Sequence, residues 1–197
     1  MKLSGTAPSG VVPATGAADA DLVKLSKEVS RALRHRPDAA GVTLDRHGWC
    51  DVEALLAGLR ARGVFISCAQ LLEIVRMSDK RRFALSDDGR SIRANQGHSV
   101  GVDLQLRPRK PPSRLFHGTV EANVLSIQRQ GLLPMKRNHV HLSPDIATAT
   151  TVGSRHGAPV ILEVDSHRMH VDGAKFWLSA NGVWLVQAVA AKYLKLC

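Results

Sequence analysis

The sequence is poor in the residues that build disulfide frameworks and common metal sites. Its three cysteines, Cys50, Cys68 and Cys197, are odd in number and scattered, so they match neither a disulfide pattern nor a CxxC motif. No apolar run approaches the about 18 uninterrupted residues that a membrane-spanning helix needs. The N-terminus has no continuous apolar core of the secretory type. We therefore expect a cytoplasmic protein with no membrane role.

Several nucleotide-binding and catalytic motifs are also missing, and acidic residues are scarce. The chain has no Walker P-loop, no Rossmann GxGxxG and no HExxH. It carries 27 Lys and Arg against 17 Asp and Glu, which gives a net charge of +10. Such an excess indicates a polyanionic partner, nucleic acid first and an anionic membrane surface second. The 44% hydrophobic content is ordinary for a globular protein with a core.

The first part of the chain is predicted to be helical and basic. Residues 1–20 are rich in small residues with almost no charge, which predicts a disordered tail. From Asp21, apolar residues recur at helical spacing, and this helix would deliver Arg34 and His35 to its C-terminal end. Capping of the helix dipole is the simple explanation, yet four basic side chains within Arg31–Arg36 exceed what capping requires.

Two further helices and a hairpin are predicted next. Asp51 would cap the second helix, and Ser67 with Gln70 would form a capping box at the third. A basic hairpin then turns around residues 87–89. Three helices followed by a hairpin is the order of a winged helix, an architecture that binds nucleic acids and also serves as a protein contact. We predict such a lobe over residues 21–106, called the N-lobe below.

The second half of the chain has a different pattern. Residues 107–113 are proline-rich and basic, which is typical of a linker. Beyond them short strand-like and helix-like segments follow one another, with a hairpin predicted around Asn181-Gly182. We expect a mostly antiparallel lobe over residues 114–197, called the C-lobe below, and an α+β fold class for the chain.

Histidines cluster in the C-lobe. If residues 138–142 form a strand, His139 and His141 project from one face. A second strand-like stretch ends at His117-Gly118, where glycine lets a ligand approach the backbone closely. Ser143 is predicted to cap the helix that follows. An edge strand with solvated histidines explains the spacing equally well.

Zinc is one alternative for these imidazoles. His139 and His141, with His167 or His170, would supply the three ligands common in catalytic zinc sites. No thiolate pair supports such a site and Arg137 would repel a metal ion, so we predict no metal. Guanidinium groups bind phosphate in a bidentate manner, and histidine can transfer a proton near neutral pH. Phosphoryl chemistry on a nucleic acid fits this combination better.

A set of ordered motifs resembles a known family over residues 22–195. The motifs are Leu25-Ser26-Lys27, Leu33-Arg34-His35, Gly48-Trp49, Asp79-Lys80-Arg81-Arg82-Phe83, Gln96-Gly97-His98-Ser99, His117-Gly118-Thr119, Met135-Lys136-Arg137, His139-Val140-His141-Leu142-Ser143, Arg155-His156-Gly157 and Asn181-Gly182-Val183-Trp184-Leu185. On these residues the chain resembles the NAD-dependent RNA 2′-phosphotransferases that act on tRNA.

The resemblance implies a winged-helix N-lobe and a C-lobe with the ADP-ribosyltransferase fold. It implies that an internal RNA 2′-phosphate, left by some tRNA-splicing ligation pathways, is transferred to the co-substrate NAD. The RNA phosphate attacks the nicotinamide ribose and expels nicotinamide, which gives an ADP-ribosylated RNA phosphate. The ribose 2″-hydroxyl then attacks that phosphate, and the products are 2′-OH RNA and ADP-ribose 1″,2″-cyclic phosphate. The implied partner is RNA carrying a 2′-phosphate, with no obligate protein partner.

The resemblance also implies the site residues. The family's catalytic Arg-His-Arg-Arg group falls on Arg34, His35, Arg82 and Arg137. Arg82 is favoured over its neighbour Arg81 because it directly precedes Phe83. The implied NAD-binding residues are His117, Gly118, Thr119, His141, Ser143 and Arg155. Val183 occupies a position where many ADP-ribosyltransferases carry a catalytic Glu, and a phosphate dianion needs no such base. For His139 a structural or phosphate contact is as good an interpretation as catalysis.

Two other functions stay open on the sequence alone. A same-fold enzyme could ADP-ribosylate terminal phosphates of RNA or DNA and stop there. The chain could instead be a winged-helix nucleic-acid-binding protein with an inactive C-lobe. The presence of His117, His141 and Arg137 together argues against an inactive C-lobe.

Overall fold

The computed structural model describes residues 15–78 and 81–197. Its helices are α1 (Thr15–Arg34), α2 (Val52–Ala61), α3 (Cys68–Arg76), α4 (Glu121–Gln130), α5 (Ile146–Gly153) and α6 (Ser166–Val171). Its strands are β1 (Trp49–Asp51), β2 (Phe83–Leu85), β3 (Ser91–Ala94), β4 (Leu115–Val120), β5 (Val140–Leu142), β6 (Pro159–Val164), β7 (Phe176–Leu178), β8 (Trp184–Val186) and β9 (Leu194–Leu196). None of the helices in these ranges is both long enough and apolar enough to cross a bilayer.

The first helix starts earlier than predicted. Helix α1 begins at Thr15, six residues before the predicted start at Asp21. Alanines at 17, 18 and 20 have the highest helix propensity, which explains the extension into a stretch of low hydrophobicity. Of the predicted disordered tail, residues 1–14 lie outside the described residues.

The strands form three small antiparallel sheets in the described part of the chain. The orders are β1-β3-β2, β4-β6-β9 and β5-β8-β7. The predicted hairpin around Asn181-Gly182 is confirmed as β7 paired with β8, with Phe176 opposite Val186. The α+β fold class expected from the sequence is therefore confirmed.

The N-lobe core is built from the apolar faces of the three predicted helices. Leu33 of α1, Leu55 of α2 and Leu71 of α3 are completely buried against Ile92 of the sheet. The helix starts follow the predicted capping chemistry. Asp51 accepts a hydrogen bond from the Ala54 amide, and the Ser67–Gln70 capping box is present at α3. This packing fixes where α1 ends, and so where Arg34 and His35 lie.

The C-lobe has a core of its own. Leu115 on β4, Leu142 on β5, Val164 on β6 and Phe176 on β7 are buried in it. Sheet β4-β6-β9 and sheet β5-β8-β7 both contribute side chains, so the core lies between them. This core holds β4 and β5 together, and each strand carries one of the predicted cofactor-binding histidines, His117 and His141, at an interior position.

The predicted helix start after β5 is wrong by two residues. The N-cap of α5 is Asp145, whose carboxylate accepts from the Thr148 amide at 2.7 Å, and not Ser143. The backbone of Ser143 is already engaged. Its amide donates to the Phe116 carbonyl at 2.7 Å and its carbonyl accepts from the Phe116 amide at 2.9 Å. These bonds keep Ser143 extended and join β5 to β4 beside the site.

Glycine at 118 allows α5 to lie directly against β4. A Cβ added to Gly118 would overlap the carbonyl oxygen of Ala149 in α5. We expect Gly118→Ala to lower the free energy of unfolding by about 1–3 kcal/mol, because backbone rather than a flexible side chain must move. Urea unfolding measures this. Gly101→Ala is the matched control, because its added Cβ meets nothing within 4 Å. Equal stability of the two variants would contradict the prediction.

Candidate active site

One stretch of backbone, the 95–100 segment, gathers the N-lobe residues of the site. The Asn95 amide donates to the Arg82 carbonyl at 2.9 Å. Four residues later the Ser99 amide donates to the Arg34 carbonyl, also at 2.9 Å. The segment therefore ties the end of α1 to the start of β2, which are distant in the sequence.

The same segment joins the N-lobe to the C-lobe. The Asn138 amide donates to the His98 carbonyl at 3.1 Å, and its side-chain Nδ2 donates to the Val100 carbonyl at 3.0 Å. Because Asn138 directly follows Arg137, these bonds place the C-lobe arginine next to the N-lobe group. Gly97 lies between them. A Cβ there would be 3.7 Å from both the Arg34 side chain and the His141 ring.

Arg34 is the most enclosed cation of the site. Its Nη2 donates to the Arg82 carbonyl at 3.4 Å, and its guanidinium lies 5.9 Å from the Phe83 ring centroid. Its Nε is buried without a partner among the described residues. Burial first, and then the charges of Arg82 and Arg137, lower the pKa of Arg34 to about 10. Three guanidiniums are therefore close enough to repel one another.

The neighbouring arginines Arg81 and Arg82 have different environments. Arg82 Nη1 donates to Ser78 Oγ at 3.4 Å, and Arg82 lines the same groove as His35. Arg81 is exposed and has a left-handed φ of 38°, and its carbonyl accepts from Asn95 Nδ2. Arg82 is thus the member of the pair that shares a cavity with His35.

His35 is positioned by a serine. Its Nδ1 is 3.0 Å from Ser99 Oγ, so its Nε2 is left for a substrate. Burial lowers the pKa of His35, and the charges of Arg34 and Arg137 lower it further. In the absence of an anion, the imidazole is therefore held mainly neutral at pH 7.

His141 is also neutral, and its tautomer is fixed. Arg137 Nη1 lies 2.9 Å from His141 Nδ1. A guanidinium can only donate, so His141 Nδ1 is the acceptor and Nε2 carries the proton. Burial lowers the pKa of His141 to about 3, with Arg137 as the next cause. The ring therefore offers an N–H donor to a ligand.

His117 contacts His141, and its free ring nitrogen is an acceptor, whereas that of His141 is a donor. Its Nδ1–H donates to the His141 carbonyl at 3.1 Å, which brings β4 and β5 together as expected. Burial lowers the pKa of His117, although this hydrogen bond acts in the opposite direction. With Nδ1 protonated and the ring neutral, Nε2 is an acceptor. The two histidines thus present one acceptor and one donor.

The remaining predicted cofactor-binding residues differ in their burial and contacts. Thr119 is buried and accepts from Asn123 Nδ2 at 3.3 Å, so its hydroxyl is partly engaged. Gly118 packs on α5, and Ser143 pairs with β4 through its backbone. Arg155 is exposed, and its charge contributes to lowering the pKa of Arg137. Arg155 is therefore within electrostatic range of the arginine group.

The predicted strand over residues 138–142 is wrong at its start, because β5 begins at Val140. His139 lies in the bend before β5 and lines the same cavity as His141, but it has separate contacts. Its ring meets Trp177 edge-on at 5.2 Å between centroids, and both line a cavity of about 180 Å³. In residues 15–78 and 81–197, no three His, Cys, Asp or Glu side chains lie close enough together to hold a metal ion. These contacts give His139 a packing role beside the site.

The arginine group has no carboxylate partner in the described ranges. The ion pairs found there are Lys24–Asp21, Arg114–Glu163 and Lys192–Asp172. None includes Arg34, Arg82 or Arg137. Like charges held together without counter-charges constitute a binding site for an anion, because a bound anion removes both the repulsion and the desolvation cost.

Sequence reasoning missed the residues that position the site. Ser99 holds His35, Ser78 holds Arg82, and Asn95 and Asn138 fix the backbone between them. The Gln96–Ser99 motif was a usable signal for the first contact. No signal marked Ser78 or Asn138, whose partners lie in segments that only the fold brings together.

Comparison with known proteins identifies the family of the chain. Residues 20–188 match the family described as RNA 2'-phosphotransferase, Tpt1 / KptA family. The chain belongs to the RNA 2′-phosphotransferase family. It is 52% identical over 178 residues to a probable RNA 2′-phosphotransferase of Rhodopirellula baltica, which covers 90% of this chain and 97% of that protein.

Other members of the RNA 2′-phosphotransferase family are similarly close. A probable RNA 2′-phosphotransferase of Burkholderia pseudomallei is 52% identical over 87% of this chain and 94% of its own length. One from Streptomyces coelicolor is 50% identical over 88% of this chain and 94% of its own length. The family match covers residues 20–188, so the resemblance extends over the N-lobe as well as most of the C-lobe.

The unpaired arginine group predicts stabilisation by simple anions. We expect inorganic phosphate to raise the stability by about 1.4 kcal/mol at ten times its Kd. Arg34→Gln should raise the melting temperature of the free protein, because it removes a buried charge and its repulsion, yet abolish most of the phosphate effect. Thermal unfolding with and without phosphate measures both. Arg60→Gln, on an exposed position of α2, is the control. A phosphate effect that survives in Arg34→Gln would contradict the assignment.

The buried neutral histidines predict a loss of stability in mild acid. Burial lowers the pKa of His98 to about 4 and that of His141 to about 3, whereas both titrate near 6.5 in the unfolded chain. Between these values the unfolded state binds more protons, so stability falls as the pH falls below about 6.5. Each additional proton contributes a slope of about 1.4 kcal/mol per pH unit.

Urea unfolding between pH 7.5 and 4.5 measures this dependence. His98→Phe removes one of the titrating groups and should make the slope shallower by about one proton. An unchanged slope in that variant would show that His98 is not held neutral in the folded protein.

Proposed function

We propose that the chain removes an internal 2′-phosphate from RNA by transferring it to NAD. The observation that carries the proposal is the meeting of Arg34, Arg82 and Arg137 beside His35, without a carboxylate in the described residues. A phosphate with two ionised oxygens is the ligand that several guanidiniums fit best. An adjacent imidazole adds a group that can transfer a proton near neutral pH.

The two lobes divide the work in this proposal. The N-lobe has three helices followed by an antiparallel hairpin, which supports a winged helix that binds the RNA. In the C-lobe, β4 and β5 bring His117 and His141 together, which supports an ADP-ribosyltransferase fold that binds NAD. The phosphate then lies at the junction, where Arg137 of the C-lobe meets Arg34 of the N-lobe.

The C-lobe residues fit NAD through their donor and acceptor chemistry. The free Nε2 atoms of His117 and His141 are an acceptor and a donor, which suits ribose hydroxyls. Arg155 adds positive charge beside Arg137, which suits a pyrophosphate. When bound, NAD supplies the ribosyl carbon that is attacked, with nicotinamide as the leaving group, and the 2″-hydroxyl that later takes the phosphate.

The first step uses the RNA phosphate as its own nucleophile. One phosphate oxygen bonds to the ribosyl carbon while the bond to nicotinamide breaks, and nicotinamide leaves with the electron pair. The three arginines hold the phosphate in position, which is the main contribution required of the protein. A dianion needs no proton removed, which agrees with Val183 in place of a carboxylate.

The second step depends on His35. The 2″-hydroxyl would lose its proton to solvent as its oxygen bonds to phosphorus, and the bond from phosphorus to the RNA 2′-oxygen would break. Bound phosphate offsets the charges of Arg34 and Arg137 that lower the pKa of His35, so the imidazole becomes protonated when substrate binds. His35 then donates its Nε2 proton to the departing oxygen, and the arginines stabilise the charge on the phosphoryl oxygens.

These roles predict that the two steps can be separated. His35→Ala should still release nicotinamide, while ADP-ribosylated RNA accumulates because the second step has lost its acid. Loss of a general acid typically slows a step by about 10²–10⁴-fold. A short incubation of RNA carrying a labelled 2′-phosphate with NAD, resolved on a gel, measures the intermediate. His141→Ala is the contrasting variant and should use NAD poorly and leave little intermediate.

The same assay tests the alternatives. Only unreacted RNA, or cyclic phosphate released at the normal rate, would show that the role of His35 is wrong. Nicotinamide release with terminally phosphorylated RNA but not with 2′-phosphorylated RNA would favour an enzyme that modifies RNA ends. RNA binding without nicotinamide release from any of these RNAs would favour a binding protein.

A further inference from the structure

A second cavity extends along α1, and apart from His35 and Arg82 its residues have no role in the reaction described above. It measures about 510 Å³ and lies between α1 and the end of α3. We call it the α1–α3 groove. Along α1 its lining runs from Leu22 to His35, which is about 20 Å at 1.5 Å per residue. Because His35 and Arg82 line it, the groove is continuous with the proposed phosphate site.

Basic side chains follow the groove at a regular interval. Lys27, Arg31 and His35 are spaced i, i+4 and i+8, so they lie on one face of the helix, about 6 Å apart along its axis. Lys27 and Arg31 are exposed, and neither takes part in an ion pair within the described residues. Among the described residues that line the groove there is no carboxylate. The groove therefore continues the unneutralised positive charge of the site outward along α1.

Apolar side chains on both walls remain open to solvent. Val23 on α1 is 55% exposed and Met77 at the end of α3 is 56% exposed, with Leu22 and Ile74 beside them. A charged groove with an apolar surface suits a strand that has both phosphates and exposed bases. The described lining includes no Phe, Tyr or Trp, so away from His35 contact with a base is through aliphatic groups and sulfur, which do not distinguish one base from another.

We propose that the α1–α3 groove binds the unpaired nucleotides that flank the 2′-phosphate of the RNA. This rests on the proposed function and deepens it. The backbone phosphates lie along Lys27 and Arg31, and a base rests against Val23 and Met77. The preferred substrate is then single-stranded around the 2′-phosphate and longer than a dinucleotide, with little dependence on sequence.

A duplex fits the same surface poorly. Paired bases are turned inward and stacked, so they cannot reach the apolar wall, and only the phosphate contacts remain. An internal 2′-phosphate in a loop or an open strand leaves the neighbouring bases free. The groove thus selects single-stranded over duplex RNA, and the arginine group selects RNA that carries a 2′-phosphate.

Direct binding measurements test the groove. The probes are a 2′-phosphorylated dinucleotide, a single-stranded octanucleotide with the same 2′-phosphate in its centre, and that octanucleotide annealed to a complement. We expect the single strand to bind about tenfold more tightly than the dinucleotide, because it gains phosphate contacts. In the double variant Lys27→Gln, Arg31→Gln, the ratio of the dinucleotide Kd to the single-strand Kd should fall to about two or less. The slope of log Kd against log salt should drop by about 1.4, which is two contacts at about 0.7 each.

Control variants test whether the effect is specific to the cations of the groove. Arg60→Gln with Arg62→Gln removes two exposed N-lobe cations outside the groove and should leave the ratio as it is. Glutamine is a good helix former, so neither pair should disturb the fold. Met77→Ala should weaken the single strand more than the annealed octanucleotide.

The proposal is overturned if the groove double variant keeps the wild-type ratio, or if the annealed octanucleotide binds as tightly as the single strand. Failure of the proposed function is a separate result. In that case no RNA would release nicotinamide from NAD, while the binding ratios would still decide whether the groove holds a flanking strand.

Discussion

Mutual repulsion among three guanidiniums is the constraint around which the site is built. Arg34, Arg82 and Arg137 would move apart if their positions depended on side-chain contacts alone, because no carboxylate in the described residues neutralises them. They are held instead by neutral hydrogen bonds to the main chain, chiefly those of the 95–100 segment. The free energy for holding them comes from the two hydrophobic cores. A bound phosphate relieves the repulsion, so binding and stability are linked.

Hydrogen bonds also hold the two neutral histidines, His117 and His141, in fixed orientations. The His141 ring accepts from Arg137, and the His141 carbonyl accepts from His117, so the first contact fixes the tautomer of His141 and the second fixes that of His117. Neither ring can be protonated easily beside that charge. The proposed cofactor side of the site is therefore polar with neutral imidazoles, whereas the proposed phosphate side is cationic. This division suits a reaction that must hold sugar hydroxyls on one side and an anion on the other.

The sequence predicted the elements better than the contacts between them. Helical periodicity, the Ser67–Gln70 capping box and the Asn181-Gly182 turn are local signals, and the structure confirms each of them. The early start of α1 and the N-cap at Asp145 were missed, since alanine propensity and a strand bridge at Ser143 outweighed the local pattern. Ser78 and Asn138 could not be predicted, because their function comes from partners that are near only in the folded chain.

Asn138 gives the site a mechanical property. It directly follows Arg137, and its two hydrogen bonds hold the main chain on either side of Ser99, the residue that orients His35. Any movement that parts the lobes must first break this pair of bonds. The same movement would withdraw Arg137 from the phosphate and release the segment that aligns the imidazole. In the proposed mechanism, anion binding and proton transfer are thus coupled through one amide side chain, so both would be lost together as the lobes separate.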